Sequence, residues 1–316
     1  MHEMHIAVFG TSLMWGQGLN EEDKIHAVLV RLLQGHHADV RATTYFLAHS
    51  GASTGYNADG SIDTHQELRI HGEVPTSYPT ILQQIDEFDA HGVSPDAIEL
   101  VVLDAGINDV DLTVILDPLT TPQQIEALVE SYCYQHMLWL IEKLTAKFKN
   151  ARIVIAAYYE FLTEESQRGY IRTLLRALGN VPGGFIADGL LRLVMGRMKK
   201  RLLENCDTFS DESLIAFQRV ADEINGRSKS KRVLVARPNI GTQNAAFASD
   251  PWVFGVRSDL SPQDPQAEVR AAACQQTDIT RKRPFICSRA SVGHPNPKGA
   301  KAYAEAVFAV LQPDQQ

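Results

Sequence analysis

A short continuous apolar run, Ile6-Ala7-Val8-Phe9, ends at Gly10 and is soon followed by a helical pattern, and this alternation repeats to the end of the chain. A continuous apolar run bounded by a glycine predicts a strand buried on both faces rather than one with a wet side. After it, Ile25, Val28, Leu29 and Leu32 recur at helical spacing, with Asn20 as the expected cap and Gly35 as the expected stop. The same sequence of signals returns with a strand over 41–47, a helix over 79–88 and a strand over 98–103. Thr121-Pro122 opens the longest helical pattern, which reaches Leu144, and strands are expected over 153–157 and 233–235. Asn296-Pro297 starts a last helix whose Ala300, Tyr303, Ala304, Val307, Phe308 and Leu311 share one apolar face. Five short strands separated by helices predict a parallel sheet covered on both faces, the three-layer α/β/α flavodoxin-like class.

The 316 residues are read as a single domain, 1–316, and 44% hydrophobic content supplies material for a large core. Thirty Lys and Arg against 38 Asp and Glu give a net charge of −8, which disfavours a phosphate-backbone binder, so no nucleic-acid partner is expected. Of the four cysteines, Cys133, Cys206, Cys274 and Cys287, none forms a Cys-x-x-Cys pair or a zinc spacing. Cys274 and Cys287 are read as two reduced thiols that could pair only in an oxidising compartment. No basic segment followed by a long apolar stretch opens the chain and no run is long enough to span a membrane, so the chain as given reads as cytoplasmic, with a secreted mature form left open.

Two stretches break the alternation. Residues 158–206 carry helical patterns over 170–178 and 185–203, the second mixing Leu190, Leu191 and Val194 with Arg192, Arg197, Lys199 and Lys200. Such a basic amphipathic helix reads as an insertion packed on the domain, and it could also serve as a lid or touch a membrane surface. Residues 250–283 are polar and proline-containing and are expected to be a long loop.

The chemistry is expected where strands end. Gly10-Thr11-Ser12-Leu13 places a hydroxyl directly after the first buried strand, Gly106-Ile107-Asn108-Asp109 follows another strand, and His49-Ser50-Gly51-Ala52 follows the strand between them. His294 stands in Gly293-His294-Pro295-Asn296, just before the last helix. A serine nucleophile needs a base, and acyl transfer needs donors aimed at a developing oxyanion. Ser12 with His294 meets the first need. The Ser12 and Gly51 backbone N–H groups and the Asn108 side-chain amide meet the second. These four ordered segments resemble the blocks of the SGNH, or GDSL, hydrolase family of esterases and lipases, with Thr11 in place of the usual Asp and a second block carried mainly by Gly51 and Ser53. The resemblance spans residues 6 to 311. It implies a carboxylic ester hydrolase with Ser12 and His294 as catalytic residues, a small-molecule ester substrate, and no metal or organic cofactor.

The family commonly has an Asp three residues before the catalytic His, and here that position is Ser291. The Ser291 backbone carbonyl is the simplest acceptor for the His294 Nδ1–H, with Asp259 or Asp278 of the long loop as the alternative. Gly51-Ala52-Ser53-Thr54-Gly55 matches the nucleophile-elbow pattern in letters, but the loop-like residues after it supply no helix, which demotes Ser53. Asp104 and Asp109 are read as ordering hydrogen bonds near the Asn108 loop, and His36, His37, His65 and His71 as surface residues. Trp15 and the apolar insertion tilt the substrate toward acyl chains or lipids. Carbohydrate O-deacetylation, or noncatalytic ligand binding on the same scaffold, is the alternative.

Overall fold

The computed structural model describes residues 2–37, 39–67, 70–177, 185–255, 264–275, 287 and 289–312, without the side chains of 176–177 and 185–195. The expected strands are present as β1 (His2–Phe9), β2 (Val40–Phe46), β3 (Ile98–Leu103), β4 (Arg152–Ala156) and β5 (Val233–Ala236). They form one parallel sheet in the order β2-β1-β3-β4-β5. Ile6 to Phe9 of β1 and Ile153 to Ala156 of β4 are all buried, which is why central strands read as continuous rather than alternating apolar runs.

The helices are α1 (Ser12–Trp15), α2 (Ile25–His36), α3 (Ile81–Glu87), α4 (Ile107–Val110), α5 (Leu112–Ile115), α6 (Pro122–Val129), α7 (Met137–Lys147), α8 (Arg168–Ala177), α9 (Phe185–Ser228), α10 (Ala267–Cys274) and α11 (Pro297–Leu311). A π-helical segment, Glu130–His136, joins α6 to α7. α2 and α11 pack together as one layer, and α9 packs on α6 and α7 as the other.

Several sequence expectations are corrected. Asn20 does not cap α2: a 3₁₀ turn, Glu21–Asp23, intervenes, and the cap position falls to Lys24. The Lys24 ammonium lies 4.0 Å from the Trp15 ring and 2.8 Å from Glu21, which fixes the entry into α2. Gly35 lies inside α2 rather than after it. The expected boundary at 206 falls in the middle of α9, which runs 44 residues to Ser228. Its later half belongs to the core, with Leu202, Cys206, Phe209, Ser213, Phe217, Val220 and Ile224 buried at helical spacing. The lid and membrane readings of 185–203 rest largely on side chains outside the described residues. The 250–283 stretch is not all loop, since α10 forms within it. Cys274, at the end of α10, is bonded to Cys287 with the Cα atoms 6.2 Å apart, so these two are not reduced thiols; Cys133 and Cys206 are free and buried. Among the described residues, no helix is long and apolar enough to cross a membrane.

Candidate active site

The sheet order reverses at β1, which leads to β2 on one side while β3 lies on the other, and this opens a crevice at the strand ends. Asp104, directly after β3, organises the loop after β1. Its carboxylate accepts the Thr11 N–H at 2.8 Å, the Met14 N–H at 3.4 Å and the Thr11 hydroxyl. Gly10 has φ +135°, and a Cβ there would lie 2.3 Å from Asp104 Oδ1, so this turn requires glycine. Gln84 holds the same glycine by accepting its N–H at 2.8 Å and donating to its carbonyl at 3.0 Å. Ser12 therefore opens α1 in a fixed position and is 8% exposed. Burial pushes the Asp104 carboxyl up to about 6, against the hydrogen bonds from Thr11 and Met14.

His294 meets this serine from the far end of the chain. Its Nε2 lies 2.7 Å from Ser12 Oγ across a separation of 282 residues. The loop that carries it is held by Phe254, whose N–H donates to the His294 carbonyl and whose carbonyl accepts the Gly293 N–H, both at 2.8 Å. Just beyond it, Asn296 caps α11 by accepting from the N–H groups of Lys298 and Gly299. The Ser291 carbonyl accepts the His294 backbone N–H at 2.8 Å as the 291–294 segment closes in a turn, and together with the Ala290 backbone it also favours the protonated imidazole. Nδ1 is enclosed, with no partner at full hydrogen-bonding geometry among the described residues. Asp259 and Asp278 lie outside the described residues.

Desolvation lowers the His294 pKa to about 4, and Arg270 pushes the same way; the Ser291 and Ala290 backbone and Asp264 oppose it. A base must be neutral to accept a proton, so a reaction that uses His294 gains activity as pH rises through its pKa. The acid limb of kcat/KM is accordingly expected near pH 4 rather than near 6.5, as a rate profile from pH 3 to 8 would read.

Gly51 and Asn108 reach the same edge. Gly51 has φ +82°, and a Cβ would lie 2.5 Å from the Thr76 nitrogen, so again only glycine fits. Among the described residues, neither the Ser12 N–H nor the Gly51 N–H is matched to an acceptor. Asn108 is exposed, and its Nδ2 donates to the Ala52 carbonyl at 2.9 Å, which leaves a second amide hydrogen available. Asp109 joins the two loops by accepting the Thr54 N–H at 3.1 Å and its hydroxyl at 2.7 Å. Ser53 makes backbone bonds to Ser77 and Ile81 and is not among the hydroxyls paired with a histidine. His36, His37, His65 and His71 are exposed, as expected.

No protein-family model and no curated protein matches the chain. Among solved structures it is similar to the extracellular lipase from Streptomyces rimosus, at 13% identity and a TM-score of 0.50, with 97% of this chain and 99% of that chain covered. It is also similar to phospholipase A1 from Streptomyces albidoflavus NA297, at 14% identity and a TM-score of 0.49, with 97% and 98% covered. The shared feature is the fold, a five-stranded parallel sheet with helices packed on it. At this identity the likeness is one of fold, and chemistry has to be argued from the site.

An apolar pocket of about 70 Å³ opens beside Ser12 and His294, walled by Leu13, Ile107, Leu112, Tyr159, Phe161 and Phe209. Trp15, read from the sequence as tilting the substrate toward acyl chains, does not line it. The Trp15 indole N–H donates to Glu73 at 2.9 Å, and the ring packs at a tilt against Phe46. The sequence reading also missed Glu73, Asp264 and Arg270, which are joined by ion pairs. Nothing in the local sequence distinguishes these charges from solvated ones. Among the described residues, no group of three His, Cys, Asp or Glu side chains is placed to hold a metal ion.

Proposed function

We propose that the chain is a carboxylic ester hydrolase that works through an acyl-enzyme on Ser12. The observation that carries this reading is the 2.7 Å separation of His294 Nε2 and Ser12 Oγ at the rim of an apolar pocket. His294 takes the hydroxyl proton as Ser12 Oγ adds to the ester carbonyl. The Ser12 and Gly51 N–H groups and the free hydrogen of the Asn108 amide stabilise the oxyanion. As the tetrahedral intermediate collapses, the imidazolium returns its proton to the leaving alcohol. Water then attacks the acyl-enzyme with His294 again as base, releasing the acid and restoring Ser12. No step needs a metal or an organic cofactor.

The pocket's size bears on the substrate. A cavity of about 150 Å³ accommodates benzene, so about 70 Å³ suits an acyl group of roughly two to four carbons. With p-nitrophenyl esters, kcat/KM is expected to peak in that range and to fall at least about tenfold by octanoate, whose extra methylenes find no apolar wall among the described residues. The same fit favours a second reading, O-deacetylation of a carbohydrate, which acetylated sugar substrates would separate from simple ester hydrolysis. The bond between Cys274 and Cys287 supports an oxidising compartment rather than the cytoplasm. Labelling by a fluorophosphonate probe tests the central claim. The parent is expected to be labelled and Ser12→Ala unlabelled, whereas a noncatalytic binding protein would leave both unlabelled.

A further inference from the structure

Behind the Ser12–His294 pair lies a ring of contacts that the proposed reaction does not use. Arg270, on α10, is completely buried. Its Nη1 lies 3.0 Å from Glu73 Oε2, its Nη2 pairs with Asp264, and its Nε donates to the Cys287 carbonyl at 2.7 Å. Glu73, also buried, turns to the serine side by accepting the Gln17 amide at 2.7 Å, the Trp15 indole at 2.9 Å and the Gly18 N–H at 3.2 Å. The Gln17 N–H in turn donates to the Ser12 carbonyl at 3.1 Å. Asp264 turns to the histidine side, where it accepts the Ser291 hydroxyl at 2.6 Å. Ser291 closes the turn to His294. The ring therefore starts at Ser12, passes through Gln17, Glu73, Arg270, Asp264 and Ser291, and returns to Ser12 through the imidazole.

We propose that Asp264 is a positioning residue for His294, holding the 291–294 turn through the Ser291 hydroxyl while Arg270 and Glu73 anchor it to the loop of Ser12. This goes beyond the ester-hydrolase reading but rests on it for its kinetic consequences. Within the ring Asp264 favours the imidazolium that forms when His294 takes a proton, and the Arg270 guanidinium opposes it. The serine at position 291 is thus not simply a missing acid: its hydroxyl recruits a carboxylate from elsewhere in the chain. The disulfide from Cys274 to Cys287 pins α10, the element that carries Arg270. Other titratable groups near the imidazole are Tyr159, whose hydroxyl donates to the Gly293 carbonyl, and Asp104 and Tyr158 beneath Thr11.

The test uses the full chain with its disulfide intact and reads both the His294 ring titration, by NMR of labelled histidine, and kcat and KM for p-nitrophenyl butyrate. Asp264→Asn keeps shape and removes charge. It is expected to move the His294 midpoint down by about half a pH unit or more and to lower kcat about 10- to 100-fold with KM within about threefold. Arg270→Met is expected to move the midpoint up, since it removes the opposing charge. Opposite shifts show that both charges act on the imidazole, and the fall in kcat with KM held is the readout that a merely structural network would not produce. Should either variant fail to fold, Ser291→Ala, which deletes no charge, reads the same link: kcat falls at least about threefold with the midpoint unmoved. An Asp264→Asn protein with an unmoved midpoint and unchanged kcat, or a Ser291→Ala protein with parental kcat, overturns the proposal. A parent without ester hydrolysis overturns the hydrolase reading instead, and the NMR midpoints still decide the role of Asp264.

Discussion

Ser12→Ala is expected to lower kcat for ester hydrolysis by about 10⁶-fold, the scale on which removing the nucleophile of a serine hydrolase acts. Ser53→Ala is expected to leave kcat within about twofold, as befits a serine outside the catalytic constellation. The difference follows from placement. Ser12 opens α1 with His294 Nε2 at 2.7 Å, whereas Ser53 sits in a loop whose backbone is tied to Ser77 and Ile81. His294→Ala should lose nearly as much as Ser12→Ala, and the double variant little more than either, because two groups that act as one unit are not additive. Burst and steady-state kinetics on a short-chain p-nitrophenyl ester check all four proteins. Activity lost in Ser53→Ala and retained in Ser12→Ala would reverse the assignment.

The next largest effect is expected at Asn108. An amide hydrogen aimed at charge that develops only in the transition state is worth about 100- to 1000-fold in kcat, so Asn108→Ala should fall by that factor with KM nearly unchanged. Asn108 also donates to Ala52 at 2.9 Å, so stability has to be read alongside. Losing one such partly exposed bond costs about 1 kcal/mol, a melting shift of roughly 1–2 °C in a domain of this size, too little to account for the rate. Asn108→Asp preserves shape while replacing the donor with an acceptor. It should be at least as impaired as the alanine variant, and an active Asn108→Asp enzyme would remove the amide from the oxyanion site.

These two predictions draw on residues that are visible in the sequence because each sits where a strand ends. The chain's own alternation determined the sheet: β1, β3 and β4 read as continuous apolar runs since burial on both faces leaves no reason to alternate. Parallel strands joined by helices bring every strand's carboxyl end to one edge, so Ser12, Gly51 and Asn108 had to converge there. The glycines at 10 and 51 carry a local signal of the same kind, a backbone conformation and a close approach that a Cβ would block.

What escaped the sequence is what depends on distant neighbours. The later half of α9 was missed because Asn205, Ser210 and Ser213 interrupt its apolar face; only the fold reveals them as buried, with Asn205 donating to the carbonyls of Ile115, Asp117 and Thr120. The pairing of Cys274 with Cys287 depends on a Cα separation of 6.2 Å, which spacing along a chain does not specify. Most of all, Glu73, Asp264 and Arg270 look like ordinary solvated charges, and Glu73 and Arg270 are 197 residues apart. The sequence by itself determined the layers of the fold, the edge at which chemistry sits and the serine and histidine that meet there, because apolar period and strand-end turns are properties of short segments. Only the tertiary structure decided which charges are buried and which carboxylate stands behind the histidine, because the cost of burying an ion, and the partner that offsets it, are set by whatever the rest of the chain packs around it.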